Sequence, residues 1–330
     1  MVLAVSLGFL SSGDFWTDVA LTAGIYALVA LGIQLNVGFT GITNFGAAGF
    51  MAIGAYTMAI LQLKAGFVWW LAALSAIAAA IMFGLLVGLP SLRLRADYLA
   101  IATLAMAEVV RIIAQNARGL TGGNQGLFCS SSGASCYDDW WVHASDRING
   151  WLTDLGWANP PGLMPLVIVC WIAVLATTLI LHRLQGSPWG RVLRAIREDE
   201  DAARALGKNA FSFKLQSLVL AAVIGAIAGG FLALDLATIH PDDYQPLVTF
   251  YAYGVLILGG LASYWGVLVG AGILWAILEA TLYLDLPDPP FTDVRIAALR
   301  FAILGVAFIL IMAFRPEGIF GKREEMVLGE

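Results

Sequence analysis

Side chains able to do chemistry are scarce in this 330-residue sequence, and they gather in a few places. Glu108 and Arg111 stand three residues apart in an apolar run, a spacing that lets opposite charges pair along one helix face. Glu279 and Arg300 offer a second pair, between two later apolar runs. A charge at bilayer depth is costly enough to raise the question of function. Pairing is also the least costly way to keep it there, so a structural bridge is the favoured reading of both pairs. A third place is polar without being charged: Asn36, Thr40, Thr43 and Asn44 crowd the junction of two apolar runs, among Gly38, Gly41, Gly46 and Gly49. Unwound backbone there could line a path for a zwitterion, with Glu108 beside it. Close helix packing is the simpler reading of Gly46, Gly49 and Gly54, and of Gly225 and Gly229.

Signatures of catalysis are missing. The sequence has no G-x-x-x-x-G-K-[ST], H-E-x-x-H, G-x-S-x-G or C-x-x-C. His143, His182 and His240 are too scattered for a metal site. The chain is therefore expected to be no enzyme and to hold no cofactor or metal, and any ATP-driven work would use a partner's ATPase. Cys129 and Cys136 flank a Ser-rich turn; their separation permits a disulfide, although two free thiols would look the same. Cys170 lies in an apolar run and reads as core.

Composition sets the class of elements that must position these residues. Sixty per cent of the chain is apolar and 12% charged, against about 25% charged in an ordinary soluble domain, and mean hydropathy is +0.82. A soluble globular protein is excluded, and the net charge of −5 leaves no surface for nucleic acid. With about 20 residues per crossing, the chain has room for eight to ten spans. Apolar runs predict nine, at 18–37, 44–63, 67–89, 98–116, 162–181, 214–236, 247–262, 266–284 and 296–314. The seventh is short, ends at Gly259-Gly260 and could be a broken or re-entrant helix. The fold class is an all-α, polytopic, integral membrane helix bundle forming a single domain, 1–330. No positive region precedes the short apolar stretch from Val2 to Leu10, so no cleaved signal peptide is read.

Seven of the 18 Lys and Arg residues fall between 183 and 214, which places the loop 182–213 in the cytoplasm. Alternation then puts Arg93, Arg95 and the tail 315–330 inside, the loop 117–161 outside, the N-terminus out and the C-terminus in. Within the basic loop, Gly190–Gly207 reads GRVLRAIREDEDAARALG. On one helix, Val192, Ala195, Ile196, Ala203 and Leu206 form an apolar stripe, with Arg194, Arg197, Glu198, Glu200, Asp201 and Arg204 largely off it. The pattern fits a helix resting on lipid headgroups or one docked on a partner. The acidic run 198–201 would be repelled by anionic lipid, and small Ala202, Ala203 and Ala205 invite close approach by a protein surface.

Five ordered blocks carry a specific resemblance. Glu198-Asp199-Glu200-Asp201-Ala202-Ala203-Arg204-Ala205-Leu206-Gly207 resembles the loop with which permeases of ABC importers dock on their ATPase subunits. Asn36-Val37-Gly38-Phe39-Thr40-Gly41 with Phe45–Phe50 and Gly54-Ala55-Tyr56, then Tyr98–Leu104, Leu120–Gly126 and Arg315–Gly321, are similar to blocks of the branched-chain amino-acid permeases, LivM-type family. The resemblance runs from about residue 20 to 321; it departs at 127–160 and at Gly46-Ala47-Ala48-Gly49, which lacks a His found in relatives. It implies a multi-pass protein of the bacterial plasma membrane, paired with a homologous permease subunit, two cytoplasmic ATPase subunits and an extracytoplasmic substrate-binding protein. The cargo implied is branched-chain or other hydrophobic amino acids, with urea or a short amide as the alternative and an ion-coupled secondary transporter as the rival class. Arg194, Glu198, Asp199, Ala202, Ala203 and Gly207 are the residues implied in coupling.

Overall fold

In lipid, a long apolar run must bond every backbone N–H and C=O within itself, and the helix does so. In the computed structural model, which describes residues 12–128, 139–157, 161–236, 238–261, 263–281, 293–315 and 318–321, the apolar runs are helices. The order is α1 (Gly13–Ile33), continued by a π-helical segment Gln34–Thr40, then α2 (Ala47–Ala65), α3 (Trp69–Ser91) and α4 (Ala96–Asn116). A short α5 (Arg118–Thr121), a strand β1 (Leu127–Phe128) and α6 (Asp139–Asp154) precede α7 (Met164–Gly186). Next come α8 (Pro188–Glu198), α9 (Glu200–Ala205), α10 (Ala210–Leu236), β2 (Thr238–Ile239) and a 3-10 turn Pro241–Tyr244. The chain closes with α11 (Pro246–Gly259), α12 (Tyr264–Ala280) and α13 (Asp293–Phe314).

α1 is apolar on every side and buried along nearly its whole length, as a central helix must be. α7, α10, α11 and α12 pack around it, and α2 lies between α3 and α10. Small residues set how closely they approach. A Cβ on Gly54 would collide with the backbone of Ala226, and one on Gly229 with the backbone of Met51, so α2 and α10 meet backbone to backbone. A Cβ on Gly49 would come 2.8 Å from Ala107 Cα of α4, and one on Gly46 2.9 Å from Thr103 O. The outward faces of α3 and α7 are apolar and exposed, including Leu74, Met82, Leu86, Ile172, Leu179 and Ile180. Such a surface suits lipid.

By length and composition the described residues hold five spans, Gly13–Thr40, α2, α3, α7 and α10, or six if α11 and α12 count as one span bent by 116°. Nine are expected from the sequence, and the differences have physical causes. α11 and α12 have 14 and 17 residues, about 21 and 26 Å at 1.5 Å per residue, each short of the ~30 Å hydrocarbon layer. α4 is long enough at 21 residues, but Asp97, Glu108 and Arg111 lower its apolar character. α13 has 22 residues and, between Ile296 and Phe314, the single charge Arg300, so its sequence keeps the apolar run expected at 296–314.

The two ends of the bundle differ. At one end, β1 and β2 pair antiparallel, Leu127 opposite Ile239, and tie the loop after α4 to the end of α10. At the same end α6 forms an amphipathic helix within what the sequence suggests is a loop, 117–161. At the other end the tail folds back, with Ile319 N and Phe320 N donating to Leu258 O and Gly259 O at 3.0 Å each. The tail motif thereby satisfies carbonyls that the end of α11 leaves open. Phe320, Tyr264 and Arg194 line one cavity of about 430 Å³, so tail and α8 share an end. Gly13, at the start of α1, lies against Pro161 before α7.

Candidate translocation and docking site

A helix that must stop inside a bundle needs partners for the backbone groups it frees. After α1 the chain widens into the π segment, reverses at Gly41 with φ of 73°, and reaches α2 only at Ala47. Gln34, Asn36, Thr40 and Asn44 are all buried there at 1% exposure or less. Thr40 Oγ1 donates to Leu35 O at 2.9 Å and lies 2.8 Å from Ser217 Oγ of α10. Ser217 in turn donates to Asn36 Oδ1 at 3.0 Å. Among the described residues the Asn36 Nδ2 amide has no hydrogen-bond partner, although it is buried. A buried donor without a partner costs about 1–3 kcal/mol, so the site holds one unspent polar group.

The non-helical stretch 41–46 and the start of α2 are held from two helices, α4 and α11. Phe45 N donates to Thr103 Oγ1 of α4 at 3.0 Å, and Ala48 N to Thr249 Oγ1 of α11 at 3.0 Å. Tyr253 OH donates to Asn44 O at 2.9 Å, while Asn44 Oδ1 accepts from Gly46 N at 2.8 Å. Asn36, Thr40 and Asn44 thus belong to one break. Sequence reasoning missed their partners Ser217, Thr103, Thr249 and Tyr253, whose available signal is a polar group alone in an apolar run.

The amphipathic segment meets this break. The sequence suggests one helix over 190–207; the structure has two, because Asp199 leaves helical geometry at φ −152° and caps α9, its carboxylate accepting from Asp201 N and Ala202 N at 2.9 Å each. Leu193, Ile196 and Ala203 are buried, whereas Leu206 is 81% exposed, so the expected stripe ends before it. Arg197, at the end of α8, donates to Gly38 O within the π segment. Its Cγ would lie 3.2 Å from a Cβ on Gly41. Arg194 instead turns back to Gln185 O at 3.0 Å. Glu198 and Ala202 are exposed, and Gly207, at φ 76°, closes α9 with Lys208 N donating to Ala203 O at 3.1 Å. Nothing in the chain stands within 4 Å of a Cβ placed on Gly207.

Glu108 belongs to a different cluster, at the β1–β2 end. Arg111 Nε donates to both Glu108 carboxylate oxygens at 3.0 Å, and its Nη1 donates to Asp242 Oδ1 at 2.8 Å. Gln115 Nε2 also donates to Asp242, at 3.2 Å. The pair is therefore more than intrahelical, since Asp242 comes from the 3-10 turn. In that turn burial pushes the Asp243 carboxyl up, against the opposing pull of the His240 amide that donates to it at 2.9 Å. Glu279 and Arg300 are not joined by any ion pair among the described residues, and the Arg300 Nε has no hydrogen-bond partner. α13 leans on α11, where Phe308 faces Gly254, while α12 folds against α11 and α1. Cys129 and Cys136 lie outside the described residues. Cys170 is buried, its Sγ 2.9 Å from a Cβ on Gly24.

A family model described as "Branched-chain amino acid transport system / permease component" matches residues 15–312. The chain belongs to this permease family. It is similar to the high-affinity branched-chain amino acid transport system permease protein LivM of Escherichia coli K12, 31% identical over 97% of this chain and 73% of that one. A probable branched-chain amino acid transport permease protein LivM of Methanocaldococcus jannaschii is 27% identical over 94% of each chain. The E. coli K12 permease LivH is 27% identical over 91% of this chain and 92% of its own. No solved structure matches. Membership in a family of transport permeases, together with the apolar helices, makes this a multi-pass membrane protein of a transport system.

Proposed function

We propose that this chain is the permease subunit of an ABC importer that carries branched-chain or other hydrophobic amino acids across the bacterial inner membrane. A homologous permease subunit completes the path, an extracytoplasmic binding protein delivers the substrate, and two cytoplasmic ATPase subunits dock on α8 and α9. ATP binds to those partners and not to this chain, which performs no catalysis itself. The α8–α9 end faces the cytoplasm with the tail, and the start of α1 faces out. Nine crossings satisfy this arrangement if α4, α11, α12 and α13 each pass through the bilayer within the assembled complex.

The observation that carries the proposal is the bond from Arg197 to Gly38 O. The amphipathic helix α8 is fastened directly to the break that follows α1, so a push on α8 moves the polar stretch 34–46. Packed cores switch between discrete arrangements and do not deform smoothly, which makes this a route from ATPase to path. The match of nearly the whole chain to permeases named for branched-chain amino acids supports the substrate class.

The test is uptake of labelled leucine, with urea in parallel, by membranes carrying this chain and its candidate permease, ATPase and binding-protein partners. ATP-dependent leucine uptake, lost in Gly207→Asp with the chain still inserted, is the expected result. Urea uptake would keep the mechanism and replace the substrate. Uptake that persists without any ATPase subunit would replace the proposal with a secondary transporter.

A further inference from the structure

Where α8 and α9 approach the break, the bundle encloses a cavity of about 580 Å³ between the α3–α4 turn, residues 40–42 and the start of α10. Its charges are unbalanced. Arg93, Arg95, Arg197, Arg204 and Lys214 line it against a single carboxylate, Glu200. That carboxylate is already engaged, by Arg204 at 2.6 Å and Lys214 at 2.5 Å. Arg93 and Arg95 are exposed and have no carboxylate within 4 Å among the described residues. Five like charges around one space repel one another unless an anion joins them, and guanidinium groups suit phosphate oxygens in particular.

The position of the cavity selects the source of that anion. Arg93 and Arg95 follow the end of α3, whose outward face carries exposed Leu86 and Leu89, and Lys214 lies one turn into α10. The cavity therefore sits where two apolar spans reach the headgroup layer. Half-exposed Leu94 and partly buried Phe211 line it beside the cations. We propose that this cavity is a phosphate-binding site that takes the headgroup of an anionic phospholipid, held by Arg93 and Arg95 with Arg204 and Lys214, next to the Arg197 contact. An anionic lipid bound there fixes the α3–α4 turn against α9 and so sets the resting position of the docking helices. The site is independent of which solute the permease carries.

The experiment is native mass spectrometry of the full chain released from phosphatidylcholine nanodiscs doped with phosphatidylglycerol. It compares wild type with the double variant Arg93→Gln/Arg95→Gln and with Glu200→Gln. Wild type should retain phosphatidylglycerol in preference to phosphatidylcholine. The double variant should lower that retention roughly thirtyfold, as expected for two lost contacts between surface cations and a lipid phosphate. Glu200→Gln should raise it, a gain that misfolding does not produce. In detergent with added phosphatidylglycerol, a wild-type adduct with inorganic phosphate that displaces the lipid would keep the site and make free phosphate its ligand. Equal retention of phosphatidylglycerol in all three proteins would overturn the proposal. So would displacement of the lipid by the ATPase subunits, which would make the cavity a protein-docking surface.

Discussion

Arg197 and Ser217 are two of the side chains that hold the break. Arg197 reaches a backbone carbonyl that the π segment leaves available, and a hydrogen bond from a charged group contributes about 1.5–3 kcal/mol. Ser217 joins Thr40 to Asn36 across α10 and α1. Ser217→Ala should therefore destabilise the detergent-solubilised chain by about 1–3 kcal/mol, read as a lower Tm, because Asn36 would lose its remaining side-chain partner. Asp243 gives a prediction of opposite sign. Its carboxyl is raised by burial, so the fold is favoured by the protonated form and loses stability as pH rises from the ordinary Asp value of about 3.9 through the raised one. Asp243→Asn keeps an oxygen for the His240 amide and removes the charge; its Tm should vary less over that range than wild type, and an unchanged pH profile would contradict the assignment. At this scale the sequence was half legible. Asn36, Thr40 and Asn44 stand out as polar residues amid glycines, and they meet at the break. Arg197 and Ser217 do not stand out, because their partners lie 159 and 181 positions away and no local pattern encodes such a contact.

Helices make the next level, and here Asp199 and Gly207 bracket α9. The carboxylate of Asp199 satisfies two open N–H groups, and Gly207 takes the left-handed φ that ends the helix. Asp199→Ala should cost α9 about 1 kcal/mol, and Gly207→Ala about 1–2 kcal/mol. Hydrogen exchange over 200–207 should speed up in both, with exchange in α2 and α10 unchanged. Gly229→Leu belongs to the opposite class, since its side chain would enter the backbone of Met51. Overpacking of this kind costs about 1–3 kcal/mol or more, and the variant should lose monodispersity in gel filtration while α9 exchange stays as it was. Composition and hydropathy revealed the long helices well, because each apolar run can be satisfied only as a helix. They failed at 190–207, where a continuous helical period hides a cap: Asp199 suits a helix start better than a helix middle. They also failed at 117–161, where α6 and the β1–β2 pairing follow from contacts across the chain.

Across the whole molecule, polar groups are collected where two routes meet: the break after α1, fastened to α4, α10 and α11, and the α8–α9 segment fastened to the break. The tail closes the same end, Ile319 and Phe320 bonding through their backbone N–H groups to α11. The bent α11–α12 pair was foreshadowed by Gly259-Gly260, whereas the sequence did not show that Glu279 and Arg300 stop short of a direct ion pair. The central claim is that motion of α8 reaches the break through Arg197. Its most direct measurement is leucine uptake and ATP hydrolysis, recorded side by side in proteoliposomes of the complete transporter, for wild type and Arg197→Ala. Loss of one charged hydrogen bond should lower uptake about tenfold or more while hydrolysis continues, an uncoupled transporter. Uptake that keeps pace with hydrolysis in Arg197→Ala would contradict it.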